Sequence, residues 1–417
     1  MGTECTRFDE VFHDLGRRKI HAGFDGGVVS SDGGGMLLRE VDLRLGLTER
    51  LARCFTDYRK PEFIEHGVRE LVAQRVLGLC LGYEDLNDHD ALCRDSVLAL
   101  MVGQTDVQGE RRLRKQDRGM PLASSSTLNR LELSDQNTAS SHRYKRIAAD
   151  PLSMDRLLVD LFIESYEQPP ERIWLDLDAT DDPLHGDQEH RFFHGYYGHY
   201  CYLPLYIFCD KHLLCARLRA SNQDGAAGTV EELERIIPQI RARWPETEII
   251  IRADSGFCRE HIMCWCESHN VRFLLGLARN RRLQKAIAGS MQKAQQRHEK
   301  DGKPARLFQE MRYRTRKSWS RERRVIGKAE YLEKGSNPRF IVTNLPIRFA
   351  SASRLYEEHY CIRGEMENRI KVQQMCLFAD RTSCSEFHAN QLRLYFSSFA
   401  YTPVSYTHLT LPTILLV

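Results

Sequence analysis

The chain has 417 residues, of which 42% are hydrophobic and 28% are charged, a composition typical of a globular protein with two or three cores. No apolar run approaches the roughly 20 residues that a membrane helix needs, and the N-terminus lacks a signal-peptide core, so we predict a cytoplasmic protein without membrane contact. The formal net charge of +3 is too small to indicate a partner, whereas the distribution of charge is informative.

Residues 1–165 are predicted to form a mainly helical region that binds DNA. Residues 8–40 carry two Asp-Gly-Gly turn signals and favour short strands, and three-to-four apolar spacing follows from about residue 41 to residue 165. The loop QGERRLRKQDRGMP (residues 108–121) precedes a short helix that opens on a Ser/Thr cap. This basic loop is either a solvated connection or a contact to the DNA backbone beside a small helical reader.

Residues 171–278 show a different pattern, in which apolar strands alternate with amphipathic helices. Three strand-like segments precede the helix TVEELERIIPQIRARW, and a strand, a short helix and a fifth strand follow it. The sequence therefore predicts a mixed α/β sheet that is covered by helices.

Residues 279–345 form a basic segment with three strand-like stretches. Its part from 279 to 324 holds sixteen Lys and Arg residues and four acidic residues, a net charge of +12. We predict a β-rich insertion here, followed by a region with a long polar helix over residues 346–400. The last stretch, residues 402–417, breaks the helical pattern abruptly and is typical of a non-native tail that replaces the natural C-terminus.

Two acidic residues lie on one predicted strand and a third ends another. Asp176 and Asp178 alternate in an apolar strand and can project from the same face, where buried carboxylates need a partner or a cation. Asp254 ends the strand ETEIIIRA at the edge where carboxyl ends of neighbouring strands meet. Taken singly, each of these residues could equally be an Asp that caps a turn.

The predicted polar helix places four functional groups on one face. Tyr360, Arg363, Glu367 and Lys371 follow at steps of three, four and four, whereas Glu365 falls on roughly the opposite face. A solvated helix with an Arg–Glu–Lys ladder is the structural alternative. Together with the aspartates, however, Glu367 completes an oxygen-ligand set that suits two Mg²⁺ or Mn²⁺ ions, which promote in-line attack on a phosphodiester.

The blocks LDLDATDDPLHG, RADSGF and YCIRGEMENRIK, followed by FADRTS, resemble those of DDE transposases of bacterial insertion sequences, in particular the insertion sequence 1380 family. The resemblance implies a ribonuclease-H-like catalytic domain interrupted by a β-strand insertion, cut-and-paste movement of DNA, a homodimer on paired element ends and a location at the bacterial nucleoid. It implies Asp178, Asp254 and Glu367 as catalytic metal ligands, with Asp176 as a rival of Asp178.

The same resemblance bears on the cationic and aromatic residues. The family's lysine lies seven positions after the glutamate, where this chain has Gln374, so Lys371 is the nearest substitute for binding phosphate. In the basic segment, Arg316 and Lys317 are predicted to contact DNA. Trp319 either packs the β-rich segment or stacks on a base that is flipped out of the DNA.

A His/Tyr-rich turn follows the first aspartates, and thirteen cysteines are scattered along the chain. Spacings of five, four and five between the turn's histidines match no zinc pattern, so DNA contacts or packing are favoured there over a metal; these residues are His185, His190, His194 and His199. The cysteines form no C-x-x-C pair and are predicted to be reduced thiols.

Three functions fit these observations. The first is a transposase that binds terminal inverted repeats, cleaves DNA with two metal ions and joins the freed 3′-hydroxyl to target DNA. The second is a two-metal nuclease that does not join strands. The third is an inactive or domesticated protein that only occupies the repeats.

Overall fold

The computed structural model describes residues 10–11, 21–22, 30–137 and 146–414, and side chains for residues 30–137 and 146–406. Two short strands pair antiparallel near the N-terminus, β1 (Glu10–Val11) and β2 (His21–Ala22). The first predicted Asp-Gly-Gly turn, residues 25–27, lies outside the described residues. The second leads directly into helix α1 (Gly35–Leu45), so the strand prediction for residues 35–40 is wrong. Leu38 and Asp42, four residues apart, form the buried face of this helix.

Helices and one further strand pair make up the described residues from 35 to 164. The helices after α1 are α2 (Leu47–Ala52), α3 (Val68–Cys80), α4 (His89–Leu92), α5 (Ser96–Val102), α6 (Ser125–Glu132) and α7 (Pro151–Glu164). Strands β3 (Phe55–Asp57) and β4 (Ile147–Ala149) pair antiparallel. Single 3-10 turns lie at Pro61–Phe63, Leu86–Asp88 and Lys115–Asp117.

The next part of the chain has the predicted series of strands and helices, with three further short strands in and beside the segment that was predicted to be a His/Tyr-rich turn. Its elements are β5 (Arg172–Ala179), β6 (Asp182–Pro183), β7 (Phe192–His194), β8 (His199–Tyr202), β9 (Leu205–Cys209), β10 (His212–Arg217), α8 (Thr229–Arg243), β11 (Glu248–Ala253), α9 (Glu260–Ser268) and β12 (Arg272–Leu277). Strands β6, β8 and β7 form a small separate sheet in that order.

The basic segment begins with helices that the sequence analysis did not predict. These are α10 (Arg281–Ala286) and α11 (Ala288–Asp301), and strands β13 (Ala305–Tyr313), β14 (Arg323–Leu332), β15 (Gly335–Ser336) and β16 (Arg339–Thr343) follow them. The strands do not form a sheet of their own. Instead β16 pairs antiparallel with β12, and β14 and β13 continue outward from it.

One nine-stranded sheet results, with the main order β10-β9-β5-β11-β12-β16-β14-β13. The central strand β5 is parallel to β11 and antiparallel to β9, and β11 is parallel to β12. Residues of β5 alternate between its faces: Leu175 and Leu177 belong to a core that includes Ile236 and Ile240 of α8. Asp176 and Asp178 therefore lie on the opposite face.

The predicted polar helix is a series of helical turns of different pitch. A short α12 (Ala352–Arg354) leads into a π-helical turn (Leu355–Tyr360) and a 3-10 turn (Cys361–Arg363), and then into α13 (Gly364–Lys371) and a second π-helical turn (Val372–Cys376). Changes of pitch of this kind rotate the side chains of one turn relative to the next.

The last helix, α14 (Phe387–Ile414), packs against α3 and β10. It continues through Thr402 and Pro403, so the break in helical structure that was predicted at residue 402 is not present. None of the helices in the described part of the chain is both long enough and apolar enough to cross a bilayer.

Candidate active site

Asp178 lies at the carboxyl end of the central strand β5. The N–H of Ala179 donates to its Oδ1 at 2.9 Å, and Nη1 of Arg363 lies 3.3 Å from its Oδ2. The side chain is 18% exposed. Burial raises the pKa of Asp178 to about 6; Arg363 opposes this shift, and the nearby carboxylates of Asp254 and Glu367 add to it.

Arg363 connects this strand to the helix that carries the glutamate. Its Nη2 lies 3.1 Å from Oε1 of Glu367, while its Nη1 faces Asp178. One guanidinium therefore bridges two carboxylates that are 189 positions apart in the sequence. Glu367 is 52% exposed, so this side of the site is open to solvent.

Asp254 follows directly after β11, the parallel neighbour of β5. Its Oδ1 accepts from the N–H of Gly256 at 2.8 Å and thereby begins a 3-10 turn, Ser255–Phe257. Asp254 therefore does cap a turn, as one of the two interpretations predicted. Its side chain nevertheless lies near Asp178. Its charge contributes to the raised pKa values of both Asp178 and Tyr360, and burial is the largest cause for each. Asp178, Asp254 and Glu367, here called the carboxylate site, are thus brought together.

Asp176, the rival of Asp178, lies on the same face of β5 in a closed ion pair. Nε and Nη2 of Arg252 donate to its two oxygens at 2.5 and 2.7 Å, and Asp176 is 1% exposed. Arg252 also lies over the ring of Trp174. A buried guanidinium holds both oxygens of Asp176, so in this structure the residue joins β5 to its neighbour β11, whereas Asp178 is paired with Arg363 of the 3-10 turn at 3.3 Å.

The remaining residues of the predicted helix face are placed as follows. Tyr360 is half-buried beside Gly276 of β12, and Lys371 is exposed and forms no ion pair with any described residue. Gln374, at the family's lysine position, donates to the carbonyl of Asp181 at 3.0 Å. Glu365 pairs with Arg369 and not with Arg363.

Gly276 was not singled out by the sequence analysis, although the site depends on it. A Cβ at this position would lie 2.6 Å from Oη of Tyr360 and 2.8 Å from the backbone N of Ser255, the residue after Asp254. The missing side chain thus allows the phenol and the Asp254 turn to lie close to β12. A lone glycine within a strand was the available signal.

Trp319 is 7% exposed and lies in the core under the sheet. It meets the ring of Tyr313 edge-on at 5.7 Å, and the guanidinium of Arg323 covers it at 5.5 Å. A stacking platform requires an exposed ring face, so the structure favours the packing interpretation. Arg316 and Lys317 are both exposed in the preceding loop.

The histidines of the His/Tyr-rich turn are dispersed. His199 pairs with Asp181 at 2.8 Å, and His190 packs on Phe387, while Nδ1 of His194 is buried without a hydrogen-bond partner among the described residues. In the described parts of the chain, no three His, Cys, Asp or Glu side chains are close enough, as placed, to coordinate one ion.

The carboxylate site nevertheless fits a divalent cation in its chemistry. It offers carboxylate oxygens, the donors that Mg²⁺ and Mn²⁺ prefer, and the ionised form of Asp178 is disfavoured by burial and by its neighbours' negative charge. A cation would relieve that repulsion. As the side chains stand, the charge of Arg363 is shared between Asp178 and Glu367 in the position between them.

Comparisons with known proteins give a family for the chain. The family model described as Transposase DDE domain group 1 matches residues 12–412. Among solved structures, a piggyBac transposase synaptic complex with hairpin DNA is similar at 9% identity and a TM-score of 0.44, covering 90% of this chain and 75% of that chain. No curated protein matches the sequence. Since the family model spans nearly the whole sequence, the chain belongs to the DDE transposase domain family, group 1, whose members act on DNA and use divalent metal ions.

Proposed function

We propose that the protein is a cut-and-paste transposase of an insertion sequence, of the insertion sequence 1380 type, and that Asp178, Asp254 and Glu367 are its catalytic residues. The observation that carries this proposal is the bridge from Asp178 through Arg363 to Glu367. It joins the central strand to a helix that lies beyond the whole basic segment, and Asp254 enters from the adjacent parallel strand.

The sheet supports a ribonuclease-H-like catalytic domain. Its first five strands in the chain, apart from the small sheet, have the spatial order third, second, first, fourth, fifth; the first three are antiparallel and the last two are parallel to the first. In this order the carboxyl ends of β5 and β11 lie side by side, which is where two of the three carboxylates are found. The basic segment extends this sheet at the β12 edge.

The site's own residues are suited to hold and orient a DNA phosphate. Two divalent ions held by Asp178, Asp254 and Glu367 would supply activation of the attacking oxygen and charge neutralisation of the leaving one. Arg363 is placed to bind a non-bridging phosphate oxygen when it releases Asp178, and Tyr360 flanks it. Lys371, one helical turn beyond Glu367, offers a free ammonium at the open side.

The basic segment is a candidate surface for the DNA backbone. Of the sixteen cations at residues 279–324, four pair with carboxylates in the described structure, namely Arg306, Arg321, Arg323 and Arg324. The other twelve form no ion pair with a described carboxylate, and they include Arg316 and Lys317. Three acidic residues of the same stretch, Glu299, Asp301 and Glu322, also lie outside these pairs, so the groups free to meet phosphates carry a net charge of 12 − 3 = +9, which favours nucleic acid.

A second candidate DNA surface lies in the N-terminal region. Helix α6 exposes Ser126, Asn129 and Arg130, and residues of α6 and of the basic loop 108–121 line one cavity of about 440 Å³. Arg114 lines this cavity, and the ring of Phe63 beside it is 77% exposed. We propose that α6 reads the inverted repeat while the loop binds the backbone.

The test is incubation of the protein with Mg²⁺ and a labelled duplex that carries the element's end, in the presence of target DNA. We expect cleavage and joining for the wild type, neither for Glu367→Gln, and both for the matched control Glu365→Gln. Activity that persists in Glu367→Gln would overturn the assignment. Cleavage without joining would indicate a nuclease, and repeat binding without cleavage in the wild type would indicate the inactive alternative. The expected homodimer on paired ends is measured by sedimentation of the same protein–DNA mixture.

A further inference from the structure

An aromatic hairpin projects beside the carboxylate site. It consists of residues 192–202, namely β7, a Gly-Tyr-Tyr-Gly tip and β8, and it pairs with β6, which begins four residues after Asp178. The hairpin therefore grows out of the loop that directly follows the strand carrying the first catalytic aspartate. The mechanism proposed above assigns no role to it.

The hairpin carries three large aromatic side chains that are exposed and lie outside the hydrophobic core. Tyr196 is 86% exposed, Phe193 is 58% exposed and Tyr200 is 45% exposed. Phe193 and Tyr200 are cross-strand partners whose ring centroids lie 5.6 Å apart, and Tyr196 meets Tyr197 at 5.0 Å. Clustered exposed aromatics of this kind mark a binding surface.

The base of the hairpin is held rigidly, so the rings are presented in a fixed position. Ser221 donates to the carbonyl of Phe192 at 3.0 Å, and the hydroxyl of the buried Tyr202 donates to the carbonyl of Glu189 at 2.6 Å. His199 is paired with Asp181 at 2.8 Å. A platform that is already ordered loses little conformational entropy when it binds.

The tip is connected to the loop that follows Asp178: the ring of Tyr197 lies 6.1 Å from that of His199, and His199 pairs with Asp181 at 2.8 Å. Burial raises the pKa of Tyr197 to about 12, and the charges of Asp181 and Asp178 add to that shift. Arg191, next to the hairpin, places its guanidinium 4.8 Å from the ring centroid of Tyr200. Arg191 is itself paired with Asp187 at 2.6 Å, so the rings are the groups available for binding. Exposed aromatic faces beside a phosphodiester site suit nucleotides, whose bases stack on them.

We propose that the aromatic hairpin binds unpaired bases of the DNA strand whose phosphate lies at Asp178, with Tyr196 and Phe193 as the stacking residues. This inference rests on the proposed function, because it assumes a DNA phosphate at the carboxylate site.

The first experiment measures binding of a fluorescent 15-nucleotide oligodeoxythymidylate to the full-length protein in the presence of a chelator. Tyr196→Ala is expected to weaken binding on the order of 5- to 100-fold, which is the value of one stacked base, and Tyr196→Phe should bind as the wild type does. The slope of affinity against salt should not change, because no phosphate contact is removed. Since the side chain is exposed, the variant should melt at the wild-type temperature.

The second experiment places 2-aminopurine next to the cleaved phosphate of the element-end duplex and follows its quenching. Phe193→Ala and Tyr196→Ala should lose the quenching that the wild type shows. Wild-type oligonucleotide affinity and quenching in both variants would overturn the inference, as would a change of oligomeric state in place of a change in binding. Because neither measurement requires cleavage, failure of the proposed catalytic function would be seen separately, in Glu367→Gln and wild-type cleavage assays.

Discussion

Asp176→Asn and Asp178→Asn should have opposite effects, although the two residues are neighbours on one face of β5. Asn keeps the shape of each side chain and removes its charge. At position 176 the change leaves the guanidinium of Arg252, whose side chain is 7% exposed, without its counter-ion. Breaking a buried pair in this way typically destabilises a protein by about 3–5 kcal/mol. Burial raises the pKa of Asp176 as it does that of Asp178, and Arg252 opposes the shift. However, Arg252 keeps its charge in the variant and would be buried without a counter-ion, so we expect a net loss of stability for Asp176→Asn.

At position 178 the change from Asp to Asn is expected to increase stability at neutral pH. The pKa of Asp178 is raised to about 6, so the folded protein holds this proton more tightly than the unfolded chain, whose value is 3.8. Stability from this group is therefore full below about pH 4 and is lost as pH rises through about pH 6. A shift of about two units corresponds to about 3 kcal/mol at neutral pH, and this net shift already includes the opposing charge of Arg363. Asp178→Asn should thus be as stable as the wild type near pH 4 and more stable at pH 7.

The assay is urea unfolding in a chelator at pH 4 and pH 7, combined with cleavage of the element-end duplex in Mg²⁺. Asp178→Asn should lose cleavage while gaining stability at pH 7, and Asp176→Asn should cleave wherever it remains folded. Glu365→Gln serves as the control for the removal of one exposed carboxylate. If Asp178→Asn loses as much stability as Asp176→Asn, or if Asp176→Asn is fully stable but inactive, the two assignments are reversed.

Three further predictions concern the rest of the site and its surroundings. Gly276→Ala should lower stability by about 1–3 kcal/mol and reduce cleavage, because the added Cβ meets Tyr360 and the backbone of Ser255. The control is Gly289→Ala, whose Cβ would have no heavy atom within 4 Å and which should leave cleavage unchanged. Equal effects of the two changes on melting temperature and cleavage would contradict the close contact at Gly276. Trp319→Ala should destabilise the protein by about 3–5 kcal/mol, because it removes a buried aromatic side chain. Trp319→Phe should keep wild-type DNA affinity. If Trp319→Phe is fully stable but binds DNA more weakly, the base-stacking interpretation of Trp319 is favoured again. The double change Arg316→Ala with Lys317→Ala should reduce the slope of log affinity for DNA against log salt concentration by up to about 2 and leave the melting temperature unchanged. An unchanged slope in the salt titration would show that neither residue contacts phosphate.

The sequence by itself determined the local elements and the chemical types of the site. The strand alternation around Asp178, the apolar face of α8 and the three-to-four spacing from Arg363 to Glu367 are properties of neighbouring residues, and the structure has each of them. The resemblance to DDE transposases rests on the same short blocks, and the family match supports it at the level of the family.

Other features depend on residues that are far apart in the chain, so no local pattern could decide them. Asp176 and Asp178 are indistinguishable by alternation, and they differ because Arg252 on the neighbouring strand pairs with the first and Arg363 faces the second. The sequence of the basic segment predicts a separate β-rich unit, but in the structure its strands extend the central sheet. The reason is that β12 has an edge whose backbone groups need hydrogen-bond partners. The tertiary structure also decides which side chains are exposed: the ring of Trp319 is buried, and the ring of Tyr196 is exposed. Both are aromatic, so the difference comes from their packing and not from residue type.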